Sequence, residues 1–272
     1  MLERRENLFN KKNNRTICFF LFLIITYLCF LPISYSEISY NATVSITPQL
    51  AAEEYIWVFG SDDFIHKLNK FDLEGLELLV WDTYTGFLFG GCDFRLENGT
   101  EYIYIIDSGR GSNSDMLLRF NTNNGSKLSS WDISGFSSSA QGLVWNGSRW
   151  FIADSRDDLI YQVDPAFPTV FERSFSYDGQ RSCGGLAWDG SYLWAVDYGT
   201  DNVYQMDIYG NVETSWSFTP LNPLGATYDI VSGNLWIVSR SGVLYEYQLD
   251  GEQVSSWDLN INFPKGIAYS SP

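Results

Sequence analysis

A four-residue phrase recurs along this chain at nearly constant intervals. Gly142-Leu143-Val144-Trp145, Gly185-Leu186-Ala187-Trp188, Gly225-Ala226-Thr227-Tyr228 and Gly266-Ile267-Ala268-Tyr269 follow one another at steps of 43, 40 and 41 residues. A weaker copy, Gly91-Cys92-Asp93-Phe94, lies 51 residues before the first. Between phrases come short runs rich in β-branched and aromatic residues, bounded by Gly, Asn or Asp, which read as strands. Self-similarity at about 40–45 residues, with four strands per unit, is how a β-propeller appears in sequence.

The clearest unit predicts strand A at Gly185–Trp188, B at Tyr192–Asp197, C at Val203–Asp207 and D at Val212–Phe218. Elsewhere strand C reads Leu68–Asp72, Leu117–Asn121, Ile160–Asp164 and Leu244–Gln248. Strand D carries the tightest marker. Gly75 and Trp81, Gly125 and Trp131, Gly210 and Trp216, and Gly251 and Trp257 are each six residues apart, with Phe175 in the equivalent place of the third unit. One four-stranded unit cannot bury both faces alone, so it must stack on its neighbours. Aromatics at fixed places fill the wedge between sheets, each burying about 150–250 Å².

Strands B, C and D occur five times from Tyr55 onward. Strand A also occurs five times, but its fifth copy, Gly266–Tyr269, is the last strand of the sequence. The expectation is an all-β, five-bladed β-propeller of four-stranded antiparallel blades, closed by a C-terminal strand that completes blade 1. Leaving the inner edge of blade 1 unpaired would be costly. No composition shift divides residues 54–272, which read as one propeller domain.

Residues 16–36 form an uncharged, mostly apolar run behind Arg4, Arg5, Lys11, Lys12 and Arg15. This predicts an N-terminal hydrophobic helix. Residues 1–36 read either as a signal peptide cleaved near Ser34 and Ser36 or as an uncleaved signal anchor, since the run approaches the ~20 residues a span needs. In both cases the propeller is exported, to the cell surface or beyond. Residues 37–53 read as a stalk or linker, or as a strand laid outside the ring, through the alternation of Ile38–Ile46.

The first 36 residues hold five basic and two acidic residues, leaving twelve basic and thirty-one acidic on the rest, a net charge of −19. Such a domain repels nucleic acid and anionic surfaces, so nucleic-acid binding is excluded as its main work. Cys18 and Cys29 fall in the apolar run. Cys92 and Cys183 remain, and an exported compartment permits a bridge between them, although they lie in blades that are not adjacent. Cys92 also reads as a small buried hydrophobe. With two Cys and one His there is no zinc cluster.

The D–A and B–C loops share one face, here the top; the A–B and C–D loops share the bottom. Five of the twelve basic residues gather on the top: Arg110, Arg156 and Arg240 in B–C loops, Arg181 and Lys265 in D–A loops. They read as scattered solvated charge, or as a pocket for a protein, anionic or carbohydrate ligand. Asn98, Asn124 and Asn146 open glycosylation sequons on the bottom, and Asn41 opens one in the stalk,; Asn-Gly is equally a good hairpin turn. Strand B ends in Asp107, Asp154 and Asp197 in three successive blades. Each either accepts N–H bonds of its own turn or belongs to a calcium site at the channel mouth. Asp93 stands inside strand A, where other blades carry Val144, Ala187, Thr227 and Ala268; it is wetted by channel water or is a functional carboxylate.

The phrases Gly185-Leu-Ala-Trp-Asp-Gly190, Leu193-Trp-Ala-Val-Asp197 and Val203-Tyr-Gln-Met-Asp207 resemble the repeats of NHL-type propellers. They are also similar to gluconolactonase-like and glutaminyl-cyclotransferase-like propellers, the last through phrases such as Asp164-Pro165. The resemblance covers residues 55–272 as fold and transfers no active-site residue. The lactonases hold a calcium through Glu, Asn and Asp on six blades, against five here. Two functions stand: a non-catalytic exported binding or scaffold propeller with no cofactor, and a calcium-assisted hydrolase, lactonase or cyclotransferase using Asp93, Asp107, Asp154 and Asp197. The first is favoured by the absence of nucleophile–base pairs, metal clusters and phosphate loops in the sequence.

Overall fold

The computed structural model describes residues 54–62, 65–73, 75–82, 89–109 and 114–270. The apolar N-terminal run, the stalk, Arg110 and Asn41 lie outside the described residues. Blade 1 contains β1 (Tyr55–Asp62), β2 (Ile65–Phe71) and β3 (Glu77–Asp82). Blade 2 is β4 (Phe89–Glu97), β5 (Thr100–Asp107), β6 (Met116–Asn121) and β7 (Lys127–Asp132). Blade 3 is β8 (Ala140–Trp145), β9 (Trp150–Asp154), β10 (Leu159–Val163) and β11 (Phe171–Phe175). Blade 4 is β12 (Cys183–Trp188), β13 (Leu193–Asp197), β14 (Asn202–Met206) and β15 (Val212–Ser217). Blade 5 is β16 (Pro223–Asp229), β17 (Asn234–Ser239), β18 (Val243–Tyr247) and β19 (Gln253–Asp258), and β20 (Gly266–Ser270) is the last strand. Each blade is a four-stranded antiparallel sheet. β20 joins blade 1 in the order β20-β1-β2-β3, with Tyr55 opposite Ser270 and Phe59 opposite Gly266.

The inner strands begin earlier than the repeated phrase suggests. β12 starts at Cys183 rather than Gly185, because a bulge at Gly184 lets Cys183 pair with Asp197 of β13. Bulges recur at the same place in β4, β8 and β16. A one-residue irregularity of this kind is invisible to an alternation pattern. Strand C of blade 1 also starts three residues early, at Ile65, because β1 runs on to Asp62 and pairs with it from Ile56 to Asp62.

The core is five wedges, each built from two neighbouring blades. Phe151 and Ile160 of blade 3 meet Leu186, Leu193 and Tyr204 of blade 4. Trp236 and Leu244 of blade 5 meet Ile56, Val58 and Ile267 of blade 1. At the inner end the wedges narrow until backbones touch. A Cβ on Gly185 would lie 2.7 Å from Gly225 Cα and Ala226 N, and one on Gly266 would lie 2.7 Å from Cys92 N. The glycines that open these phrases, and Gly91, where a Cβ would lie 2.5 Å from Leu143 N, are therefore required by the close approach of inner strands,. At the rim the six-residue marker has a different cause. Gly125 of blade 2 lies under Trp81 of blade 1, and Gly251 of blade 5 under Trp216 of blade 4, their missing side chains leaving room for the indole. Gly75 and Trp257 make the same contact between blades 1 and 5.

Candidate functional site

Two of the carboxylates that end strand B, Asp154 and Asp197, are buried and saturated. Asp154 Oδ2 accepts from Ser137 Oγ (2.7 Å) and from the backbone N–H groups of Ser138 (2.8 Å) and Ser139 (3.0 Å). Its Oδ1 accepts from the N–H groups of Arg156 and Asp157, at 2.8 and 2.9 Å. Asp197 repeats the design: Oδ2 accepts from Tyr177 OH and the N–H groups of Arg181 and Ser182, and Oδ1 from those of Gly199 and Thr200. Each carboxylate thus clasps a D–A loop to a B–C loop. Burial pushes the Asp154 carboxyl up, but its donors outweigh burial and the net shift is downward,. An ionised carboxylate has about four lone-pair sites, and five donors leave none for a cation.

The four acids singled out as calcium ligands are not one cluster. Asp154 and Asp197 serve separate clamps, and Asp93 lies between blades 2 and 3. Asp107 pairs in register with Phe89 and Met116. Among the described residues no group of three or more His, Cys, Asp and Glu could hold a metal ion. Cys92 and Cys183 are both buried free thiols. Burial raises the pKa of each, and the charge of Asp93 adds to the rise at Cys92.

Asp93, half-buried, joins two neighbouring inner strands. Its Oδ2 accepts the N–H of Trp145 on the next blade's inner strand (2.6 Å), and its Oδ1 accepts that of Phe94 (2.8 Å). Thr227, at the same place in blade 5, accepts the N–H of Tyr269 through Oγ1 at 3.0 Å. A side chain there bridges two inner strands where backbones no longer touch. Burial raises the Asp93 carboxyl to about 7, against the pull of both N–H donors.

Asp115 is a residue that sequence reasoning passes over. It is buried just before strand C of blade 2, and accepts from Ala140 N–H (2.8 Å) and Ser137 Oγ (3.3 Å). Its pKa is raised by burial and by the nearby charge of Asp154. The signal was available: Asp115, Asp158 and Asp201 are spaced by 43 residues, in step with the repeat.

The basic residues divide sharply. Away from the top, the arginines are held. Arg119 and Arg95 pair with Glu97 at 3.1 and 3.5 Å. Arg149 pairs with Glu172 at 2.8 Å, and Arg173 donates to Gln162 and the Ile208 carbonyl. On the top, Arg156, Arg181, Arg240 and Lys265 make no ion pair among the described residues. The field of Arg156 acts on Asp115, and that of Arg181 on Asp158. Arg240 and Lys265 instead act on each other. Arg240, exposed, stands 5.9 Å from the ring of Phe263. Lys265 is half-buried, its N–H donating to the Phe59 carbonyl at 2.8 Å. Burial, with Arg240 beside it, lowers the Lys265 pKa. Two neighbouring cations with no ion-pair partner among the described residues, in a domain this rich in acid, form an arrangement that an anion would relieve,.

The sequon residues sit in bottom turns. Asn98 and Gly99 both have positive φ, 51° and 76°, as a tight hairpin requires,. Asn146 Oδ1 accepts from Ser148 and Arg149 N–H, and Asn124 Oδ1 from Ser126 N–H.

Fold and geometry together define an all-β, five-bladed propeller with four-stranded antiparallel blades. Residues 96–261 match the model of a family described as a repeat of unknown function (DUF6923), and the chain belongs to that family. No curated protein matches it. Among solved structures it is similar to a chain from the crystal structure of a nidogen/laminin complex, at 13% identity and a TM-score of 0.53, covering 79% of this chain and 98% of that one. It is also similar to a functionally unknown protein from Desulfotomaculum acetoxidans, at 11% identity and a TM-score of 0.45, covering 75% of this chain and 69% of that one. A protein of unknown function from Bacteroides caccae is similar at 11% identity and a TM-score of 0.48, covering 77% and 74%. At these identities the likeness is one of fold.

Proposed function

We propose that this protein is an exported, non-catalytic binding propeller whose top face takes an anionic ligand. The observation that carries the reading is the Arg240–Lys265 pair, two adjacent cations with no ion-pair partner among the described residues, beside the exposed ring of Phe263. Arg presents a planar fork suited to carboxylate, sulfate or phosphate, and Lys adds a point charge. Arg156 and Arg181, exposed on blades 3 and 4, would contact the outer parts of a larger anion. The same reading keeps Arg110 in the set. It has residues 1–36 directing export, residues 37–53 as the stalk, Asn41, Asn98, Asn124 and Asn146 as glycosylation sites, and the ring closed by the C-terminal strand. The resemblance of the repeated phrases to those of NHL-like propellers supports a kinship with them in this proposal.

Titration of the full chain with sulfate, phosphate, citrate and a sulfated oligosaccharide tests it, followed by calorimetry and by chemical shifts near Phe263. Arg240→Ala with Lys265→Gln should weaken the best of these at least tenfold. The melting temperature should stay nearly unchanged, because Arg240 is an exposed loop charge, which contributes little to stability, and Gln keeps most of the length of the half-buried Lys265 side chain without its charge. Binding that survives the double substitution, or no binding at millimolar anion, would sink the assignment.

A further inference from the structure

We propose that β3, the outer strand of blade 1, is a docking edge that takes up an extended apolar segment with basic ends from a partner protein, as an added antiparallel strand. In the sheet order β20-β1-β2-β3 it is the last strand, so one row of its N–H and C=O groups faces outward. Outer strands elsewhere in the ring are blunted. Where β3 has Leu79 and Val80, β7 has Ser129 and Ser130, β15 has Thr214 and Ser215, and β19 has Ser255 and Ser256. The Trp after each pair aligns them without a gap. In β3 every apolar side chain except the core-packed Trp81 stands in water, on both faces: Leu78 is 46% exposed, Leu79 37% and Val80 38%, and Leu76 just before the strand is 59% exposed. A long, apolar, unprotected edge is what natural sheets avoid unless something covers it. Strand addition satisfies both parts of such an edge, the backbone through ladder hydrogen bonds and the side chains through alternating contacts.

Charge selects the occupant. Glu77 and Asp82 bound β3, and Asp72 lies in the turn before it; Lys67, opposite Asp82 on β2, offsets one of these charges. A second copy of this chain carries the same sign, net −16 overall. Two-fold pairing of β3 with itself that sets Leu79 across from Val80 also sets Glu77 across from Asp82, and like charges directly opposite are destabilising. A segment from another protein with alternating apolar residues and Lys or Arg at each end meets both the apolar run and its acidic flanks.

The probe is a labelled nine-residue peptide of alternating Val and Thr with two Lys at each end, titrated against the full chain by fluorescence anisotropy. The variant is Leu79→Ser with Val80→Ser, which gives blade 1 the residues that blades 2 and 5 carry. Both side chains are exposed, so the variant should melt with the wild type. It should bind the peptide at least tenfold more weakly, whereas Ser255→Ala with Ser256→Ala on β19 should change nothing. Hydrogen exchange should show the outward amides of Leu78–Trp81 open in the isolated chain and protected by the peptide. No binding at millimolar peptide, or equal binding by the serine variant, overturns the proposal. So does protection of those amides before any peptide is added, or a dimer that the serine variant abolishes, since either means that the edge is already occupied.

Discussion

Asp93 shows how a single side chain sets a pH dependence without being a catalytic group. Its carboxyl is raised from 3.8 to about 7, burial being the main cause. Between roughly pH 4 and pH 7 the folded chain holds a proton that the unfolded chain has released. The unfolded state therefore binds fewer protons across that window, and the Asp93 contribution to stability falls as pH rises through it. Asp154 and Asp229 have lowered pKa values, with hydrogen bonds outweighing burial, so they tilt the whole-protein profile the other way. A comparison with Asp93→Asn isolates the titration of the one group, because the amide carries no charge and keeps an acceptor for Trp145 N–H while giving up the Phe94 N–H bond at every pH,. The variant should start below the wild type near pH 4 by the constant cost of that bond and gain on it steadily to pH 8. That gain should reach on the order of 2 kcal/mol, less than the full pKa shift implies because Asp93 is only half-buried. Urea unfolding at four pH values measures it; parallel curves would show that Asp93 is ionised in both states. The sequence made Asp93 visible, since it alone is acidic where other blades have Val, Ala or Thr. Its role was not legible, because the partner N–H of Trp145 lies 52 residues away and belongs to the backbone.

At the scale of the strand, the repeat was readable because two separate contacts each demand glycine at a fixed place. The inner one is a meeting of backbones, and Gly185→Ala tests it. The new Cβ would fall 2.7 Å from Gly225 Cα and Ala226 N, and main-chain atoms cannot swing aside as a flexible side chain can. A loss of about 1–3 kcal/mol is expected, typical of overpacking. Gly135→Ala, where nothing lies within 4 Å, should cost almost nothing. Equal melting temperatures for the two variants would mean that the inner strands are not in contact as described. What the pattern did not reveal is equally local. The bulges that start the inner strands early break alternation at one residue, and periodicity averages over such a break. The Asp clamps were readable only as one of two alternatives, because sequence gives the position of Asp154 and Asp197 but not the five donors that fill each carboxylate.

In the closed ring proposed above, the joint lies between elements far apart in the chain. β20 supplies blade 1 with its innermost strand, pairing Tyr55–Phe59 with Gly266–Ser270. The same joint carries the wedge of Ile56, Val58, Trp236 and Ile267, and Gly75 closes it at the rim by packing on Trp257. The hydrogen-bonded ladder is thus backed by a packed core and by an outer contact, all across one seam. Removing residues 266–272 would strip Ile267 and Tyr269 from that wedge and Ala268 from the next, all of them buried. At about 1.5–3 kcal/mol for each large buried side chain, plus the unpaired edge of β1, the loss is about 5 kcal/mol or more. That is comparable with the whole stability of an ordinary domain. The truncated chain should therefore lose its cooperative melting transition rather than shift it by a few degrees. A synthetic peptide of residues 262–272 should restore the transition in proportion to its concentration, as any ligand of the native state does. A truncated chain that melts cooperatively at the wild-type temperature, and ignores the peptide, would mean that the other blades hold the ring without its last strand.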